Sequence, residues 1–385
     1  MVAVKRALFV LVLAGCGDDT QSTAPDAALA DAAQPDADLG DGGFQTAPHA
    51  PFPQIPTRGG PVLRAPILVT ITFPGDPRRT ALESFGQWIV GSDWLVTVGD
   101  EYGVGRGTHR AAVMPQAAPA STTSDGMVAL VAARVADGTL PPPDQGSIYT
   151  IYVPATTRLT DFVDFCSMTQ GVTAGGYHSE IVASGVMRSY ALVPRCTTQP
   201  LSEIEVTASH ELIEAATDPF PISQPAYEIP DCGDPWGCTE VGDLCESEEV
   251  AIAGLTVQRS WSNRAAAAGD PPCLPRAPGE PYFNVDVMPN GRIGVRAGQT
   301  ATLHLTGWST TPVADWTLSA FASMFGPASF QPQLTLDTTT LNNGRHATLR
   351  VTVPAGTPAG REAHVFVSSS RAAVYTYWPV AIDVQ

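Results

Sequence analysis

The chain has 385 residues, with 38 acidic and 21 basic side chains and a formal net charge of −17. This length leaves room for two domains of ordinary size, each with a buried core. The acidic charge and the lack of any Lys/Arg cluster exclude binding to nucleic acid, whose phosphates would be repelled.

The first residues have the features of an export signal. Lys5 and Arg6 precede an apolar run, residues 7–13, which is far shorter than the roughly 20 residues needed to cross a bilayer. The run ends in Leu13-Ala14-Gly15-Cys16, which resembles the lipobox of bacterial lipoproteins, where the cysteine is lipidated. We therefore expect residues 1–15 to be a lipoprotein signal peptide and Cys16 to carry a lipid. The alternative is a conventional signal peptide in which Cys16 is an ordinary residue.

The expected location is the extracytoplasmic side of the cell envelope, with the lipid on Cys16 holding the protein to a membrane. The outer membrane or the cell surface is favoured over the inner membrane. Residues 16–60 are rich in Asp, Ala and Pro and almost free of aromatic side chains, so they bury too little apolar area to offset the entropy lost on ordering. We expect them to form a disordered tether.

Alternating helix and strand patterns follow the tether. Residues 67–73 and 147–153 are β-rich runs, each ended by proline, whereas residues 79–90 and 127–135 are helix candidates. They predict an α/β domain over residues 62–275. Prolines predict a stiff linker at residues 276–281. Short alternating runs at residues 301–305, 347–353 and 380–384 predict an Ig-like β-sandwich over residues 282–385.

The cysteines beyond Cys16 are even in number, namely Cys166, Cys196, Cys232, Cys238, Cys245 and Cys273. An exported protein folds in an oxidising compartment, so three disulfides are expected. The sequence leaves the connectivity open, and nearness favours Cys166–Cys196, Cys232–Cys238 and Cys245–Cys273. A zinc-thiolate site is the weaker interpretation, because no C-x-x-C pair is present.

A polar stripe marks the helix predicted to start at Ser202 and to end at Thr217, before Asp218-Pro219. Ser202 is the expected N-cap, and Glu205 would complete a capping box. At about 100° per residue, four polar side chains fall in one quadrant of this helix. They are His210, Glu211, Glu214 and Asp218. The stripe is either a solvated acidic surface or part of a metal site.

The spacing favours metal chemistry of one particular kind. His210-Glu211 resembles the start of the H-E-x-x-H motif of zincins, in which the histidine binds zinc and the glutamate is the general base. Glu214 stands where the motif has its second histidine, which makes the match looser. Carboxylate oxygen is an acceptable zinc ligand, so zinc is still the expected cofactor, while calcium or manganese would also suit oxygen ligands. Glu211 would then deprotonate a water whose pKa the cation has lowered.

A third ligand is expected downstream of the helix. Glu240, followed by Asp243 three residues later, is similar to the third ligand and its hydrogen-bonding partner in zincins whose third ligand is Glu. Glu228 with Asp231 repeats this spacing and is the alternative. Glu240 is preferred, because a disulfide at Cys245 could pin its segment.

Two resemblances extend this interpretation. The motif H-E-x-x-E-x-x-T-D-P at residues 210–219, with residues 240–245 and 257–263, is similar to a group of secreted bacterial proteins. Residues 94–98, 165–168, 176–178 and 190–196 resemble the plant EXORDIUM, or phosphate-induced, family of secreted wall proteins. Together they span about residues 62–275. The resemblance implies a Cys166–Cys196 pair and a place for His178 near the site.

The leading prediction is a zincin-like, zinc-dependent metallohydrolase, a peptidase acting on extracytoplasmic protein. Its ligands would be His210, Glu214 and Glu240, and its general base Glu211. Three further side chains are expected to contact ligands or substrate, namely Asp218, Asp243 and His178. The alternative is a non-catalytic surface protein that binds wall glycan or another protein. The Ig-like module favours it, as do the plant relatives, which lack the His-Glu pair.

Overall fold

The computed structural model describes residues 43–142, 144–161, 175–183, 185–231, 234–246, 248–323, 330–372 and 374–385. The predicted signal peptide and Cys16 lie outside these ranges, as do Cys166 and Cys232. Within them, no helix combines the length and the apolar character needed to cross a membrane.

The first domain alternates strands and helices around one mixed sheet. Its elements up to the polar helix are β1 (Ile67–Thr72), α1 (Arg79–Val90), α2 (Asp93–Gly99), β2 (Thr108–Val113), β3 (Ser121–Thr122), α3 (Ser124–Ala136), β4 (Ser147–Val153), β5 (Arg158–Leu159), β6 (Tyr177–Ala183), β7 (Val186–Pro194) and α4 (Leu201–Thr217). The sheet order is β2-β1-β4-β7-β6. Its first four strands are parallel, and the edge strand β6 runs antiparallel to β7.

The sheet is buried on both faces, because residues along a strand alternate between two layers. Leu68 and Ile148 pack on the side of α1, α2 and α4. Val69 and Tyr149 pack on the opposite side with Val131 of α3. Helix α4 therefore rests on the sheet beside β7 and the edge strand β6.

The chain then folds back over α4. The remaining elements of the first domain are a 3-10 turn (Asp243–Cys245), β8 (Glu249–Ile252), β9 (Leu255–Gln258), β10 (Ser260–Trp261), α5 (Asn263–Ala268) and β11 (Cys273–Leu274). Strand β9 packs directly on α4. The predicted Cys245–Cys273 disulfide is confirmed. Cys196 and Cys238 are also disulfide-bonded, and their predicted partners lie outside the described residues.

The start of α4 differs from the prediction. The N-cap is Pro200, with no capping side chain, and Ser202 already lies inside the helix. Glu205 accepts a hydrogen bond from the Thr256 backbone N–H at 2.9 Å instead of closing a capping box. The capping prediction was wrong because α4 packs on β9, and Glu205 bonds to the β9 backbone instead of to its own helix.

The second domain is a β-sandwich, as predicted. Its strands are β12 (Phe283–Met288), β13 (Arg292–Val295), β14 (Thr300–Ser309), β15 (Trp316–Ala322), β16 (Gln333–Leu336), β17 (Thr340–Leu341), β18 (His346–Thr352), β19 (Glu362–Arg371) and β20 (Val374–Val384). One sheet has the order β12-β14-β18-β16, and the other β13-β20-β19-β15-β17. The four-stranded sheet corresponds to one sheet of an Ig fold. Strands β20, β19 and β15 of the other sheet correspond to its second sheet.

The prediction of a disordered tether over residues 16–60 is wrong for residues 43–60. This part of the segment is ordered and joins the two domains. Phe52 is buried and contacts Trp261 of the first domain and Trp308 of the sandwich, with ring centroids 5.9 and 5.6 Å away. The Ala50 N–H donates to Asp286 at 2.8 Å, and the Ile55 N–H to Asn263 at 2.9 Å. A few apolar residues in a polar segment were enough to order it.

Candidate metal centre

Helix α4 buries its polar stripe. Glu211 is 2 % exposed and Glu214 is 5 % exposed, and Asp218, just past the helix, is fully buried. The helix ends here because Asp218 precedes proline and has left the helical region. The edge strand β6 and the segment 240–245 cover the stripe, so the solvated-surface interpretation is wrong.

His210 is fixed by a partner on β9. Its Nδ1 lies 3.1 Å from Oε1 of Gln258. The Gln258 amide nitrogen donates to the Gly242 carbonyl at 2.8 Å, which orients the amide so that its oxygen faces the ring. The Nε2 of His210 then points to the carboxylates, 3.2 Å from Glu214 Oε1 and 3.6 Å from Asp243 Oδ1.

His178 enters the cluster from the edge strand β6. Its Nδ1 lies 3.4 Å from Glu214 Oε2 and 3.9 Å from Glu211 Oε2. Its Nε2 lies 3.0 Å from the Asp218 carbonyl oxygen and 3.2 Å from Glu240 Oε2. Glu214 therefore lies between the two histidines, one on each of its oxygens.

The 240–245 loop, Glu240 to Cys245, closes the cluster. The Glu240 N–H donates to Asp243 Oδ2 at 2.7 Å, and the Asp243 carbonyl accepts from the Tyr377 hydroxyl of the sandwich at 2.9 Å. At Gly242 a Cβ would lie 2.7 Å from Glu214 Oε1 and 3.0 Å from His210 Nδ1. Only glycine lets the loop approach the helix this closely.

The alternative ligand Glu228 lies at the margin of the cluster. Its Oε1 accepts from Arg58 at 2.9 Å, so its charge is already compensated. It is close enough to Asp218 and Glu240 for one cation to reach all three. Asp218 itself accepts from the Ala226 N–H at 2.9 Å through Oδ1. Both residues mainly hold the segment that follows α4.

Burial and crowding of charge keep protons in the cluster. Desolvation, reinforced by the nearby Glu214 charge, raises the pKa of Glu211 to about 8 and that of Asp243 to about 7. Glu214 is equally buried, but the two histidines outweigh desolvation and lower its pKa to about 2. Desolvation lowers the pKa of His178, yet Glu240, Glu214 and Glu211 raise it to about 10.

These residues fit a divalent cation. Glu211 Oε2, Glu214 Oε1 and Glu240 Oε2 are buried, and those of Glu211 and Glu240 accept no hydrogen bond from any described group. In the described ion pairs of these three glutamates, the cationic partners are His178 and His210. Buried carboxylates that outnumber their cationic partners are costly, and imidazole nitrogen with carboxylate oxygen is a donor set that zinc accepts. Calcium prefers oxygen ligands alone and fits less well.

The structure brings together seven of the residues singled out from the sequence, namely His178, His210, Glu211, Glu214, Asp218, Glu240 and Asp243. The predicted trio is not itself a compact group, since Glu214 is shared between a group with His178 and Glu240 and another with His210 and Glu211. Gln258 and Tyr377 were missed. Gln258 contacts His210, which lies 48 positions away in the sequence, and Tyr377 contacts Asp243, which lies 134 positions away. No local sequence pattern signals such pairs.

Comparison with known protein families and with curated proteins found no match. Among solved structures, the chain is similar to a chimeric titin Z1Z2, with 15 % identity over 27 % of this chain and 93 % of that one, at a TM-score of 0.18. It is also similar to titin domain M3, with 14 % identity over 27 % of this chain and 99 % of that one, at a TM-score of 0.19. A third similar structure is the ZirS C-terminal domain, with 12 % identity over 28 % of this chain and 68 % of that one, at a TM-score of 0.18.

Proposed function

We propose that this protein is a zinc-dependent hydrolase of the cell envelope, with its centre on helix α4. One observation carries the proposal. Glu214 is buried between two histidines, and its Oε1 lies 3.2 Å from His210 Nε2, in a cluster where Glu211 Oε2 and Glu240 Oε2 accept no hydrogen bond from any described group. A cation bound in this cluster would satisfy these buried oxygens.

A bound zinc ion would polarise a substrate carbonyl and lower the pKa of a water. Glu211 would accept the proton of that water, since it follows His210 directly and its Oε2 faces the cluster. Without a cation its raised pKa leaves it protonated at neutral pH. A nearby cation favours the carboxylate, which is the form that acts as a base. His178 would hold Glu214 in place from β6.

The proposed substrate is extracytoplasmic protein, and this choice depends on the resemblance of the H-E-x-x-E motif to zincins. The zincin-like nature of the first domain is part of the same proposal. So is the lipid anchor on Cys16, which would keep the site outside the cytoplasm and near a membrane. The disulfide at Cys245, beside the site, is consistent with an oxidising compartment.

Metal analysis and peptide cleavage by the purified full chain, prepared without chelator, test the proposal. We expect about one equivalent of zinc or more per chain and cleavage of a library of unstructured peptides. Glu211→Gln should keep the metal and lose about 10³-fold or more in kcat, on the scale of losing both a general base and a transition-state charge. Glu203→Gln on the same helix is the matched control and should keep full activity. A metal-free wild-type protein would overturn the proposal.

A non-catalytic binding role is the second candidate, favoured by the Ig-like sandwich. Such modules serve as recognition domains on many extracellular proteins. If zinc is bound and Glu211→Gln matches the wild type in every cleavage assay, the metal has a structural role. Retention of the protein on isolated cell-wall glycan would then support this second role.

A further inference from the structure

We propose that the cation is held by His178, Glu214 and Glu240, so that the edge strand β6 supplies the histidine ligand. This inference deepens the proposed function and rests on it. It makes His178 a ligand and not only a support for Glu214, and it gives His178 the role that the sequence suggests for His210. Each of the three residues offers one ligand atom within 4.8 Å of the atoms offered by the other two.

The surroundings of the His178 ring leave one of its nitrogens free to bind a metal. Nε2 lies 3.0 Å from the Asp218 backbone carbonyl oxygen, which only accepts, so Nε2 carries the hydrogen. The lone pair of the neutral ring is then on Nδ1, which faces Glu214 Oε2. Metal-binding histidines characteristically donate their other N–H to a backbone carbonyl or a carboxylate.

The two carboxylates lie close to the spacing of zinc ligands. Bonds of about 2.0–2.1 Å to a tetrahedral zinc put two ligand atoms about 3.3 Å apart. Glu214 Oε2 is 3.4 Å from His178 Nδ1. Glu240 Oε2 contacts the same ring, 3.2 Å from Nε2, and is buried without a hydrogen bond from any described group. A cation shared with Glu214 and His178 would satisfy this oxygen.

The other group around Glu214, which consists of His210, Glu211 and Glu214, is less suitable for a hydrolytic centre. All three residues lie on α4, and His210 and Glu211 are adjacent, so these two side chains point about 100° apart around the helix. That group also uses the proposed general base as a ligand. With His178 as the ligand, Glu211 stays free, and its Oε2 lies 3.9 Å from His178 Nδ1, beside the proposed cation.

His210 is then a positioning residue. Its Nδ1 faces the Gln258 amide oxygen at 3.1 Å, and its Nε2 lies 3.2 Å from Glu214 Oε1. The ring therefore holds one oxygen of Glu214 and leaves Oε2 to the cation and to His178.

The proposed ligands come from three separate segments, namely β6, α4 and the 240–245 loop, so a bound cation would join the edge strand to the helix. Ligation by the group on α4 alone would leave β6 unjoined. Amide hydrogen exchange of the full chain, measured with added Zn(II) and with chelator, tests this difference. At free zinc about 100 times Kd, we expect exchange of the β6 amides to slow about 10- to 100-fold in the wild type. His178→Ala should lose this protection.

His178→Ala and His210→Ala separate the two histidines, because each removes one imidazole. With Co(II) as the probe, we expect His178→Ala to change the visible absorption spectrum and to weaken Zn(II) binding more than about 100-fold. His210→Ala should keep the spectrum and lose about 10- to 100-fold in affinity, which is the cost of losing a supporting partner. The exposed His304→Ala in the sandwich is the matched control and should bind zinc like the wild type.

The reverse pattern, in which His210→Ala loses the metal and zinc leaves β6 exchange unchanged, would overturn the inference and leave the proposed function standing. Absence of metal from the wild type would overturn both. If His178→Ala does not fold, anomalous diffraction from zinc-soaked wild-type crystals decides directly. His178 Nδ1 must then lie about 2.0–2.1 Å from the zinc, and a zinc bound by His210 instead would refute the inference.

Discussion

Gly242→Ala is a steric probe of the contact between the 240–245 loop and helix α4. The backbone of Gly242 has φ −79° and ψ −43°, which alanine adopts without strain. In such a conformation, replacing glycine by alanine stabilises a protein by about 0.4–1 kcal/mol through the unfolded state. Any loss of zinc affinity in Gly242→Ala must therefore come from contacts of the added methyl group and not from backbone strain.

The methyl group would lie 2.7 Å from Glu214 Oε1. Ordinary contacts begin at about 3.5 Å, so the loop and the helix must separate by about 0.8 Å. Metal sites tolerate deviations of only about 0.2 Å in ligand distance. We expect zinc affinity to fall about 10- to 100-fold, which corresponds to about 1.4–2.7 kcal/mol.

Competition titration against a chromophoric zinc chelator measures this loss. Gly91→Ala is the matched control, since Gly91 has φ −97° and its Cβ would come no closer than 3.8 Å to a neighbour. Zinc binding by the Gly242 variant within twofold of the wild type would refute the steric explanation. Thermal unfolding in the presence of chelator checks that both variants are folded.

Three further predictions concern the sandwich, the N-terminal segment and pH. Tyr377→Phe removes the hydrogen bond to the Asp243 carbonyl and should weaken zinc binding about three- to tenfold, with Tyr375→Phe as the control on the same strand. Phe52→Ala should lower the free energy of unfolding by about 3–5 kcal/mol in denaturant titration, whereas the exposed Phe44→Ala should change it little. The melting temperature of the cation-free protein should fall as pH rises from about 5 to 9, and added zinc should increasingly reverse this fall.

Local patterns predicted the elements that hold the site. Helix α1 and strand β4 have the predicted bounds, and α4 ends where Pro219 forces it to. The helical period also put His210, Glu211 and Glu214 on one face. These features depend on neighbours within a few residues, which is the range that sequence periodicity describes.

The rest of the site depends on long-range packing. His178 reaches Glu214 because the edge strand β6 pairs antiparallel with β7 beside α4, an arrangement that no local pattern encodes. The third-ligand prediction compared Glu240 with Glu228 by their equal spacing to an aspartate and by the neighbouring Cys245. Which oxygen of the 240–245 loop faces His210 depends on the hydrogen bond between Glu240 and Asp243 and on the support from Tyr377.

The pH prediction follows from competition between protons and a cation for the same cluster. In the folded, cation-free protein the pKa of Glu211 is raised from 4.5 to about 8, that of Asp243 from 3.8 to about 7, and that of His178 from 6.5 to about 10. At this cluster the folded state therefore binds more protons than the unfolded state between about pH 5 and 9, so the contribution of the cluster to stability falls as pH rises. The pKa of Glu214 is lowered to about 2, so this residue makes stability rise with pH, but only below about pH 4.5.

Zinc replaces these protons, so its affinity rises with pH, and its stabilisation of the folded state rises with that affinity. The difference in melting temperature between zinc-loaded and chelator-treated protein should consequently widen from pH 5 to pH 9. The variant Glu211→Gln, which cannot exchange a proton at this position, should show a smaller change. A zinc-induced shift that is equal at every pH would mean that the metal binds away from helix α4.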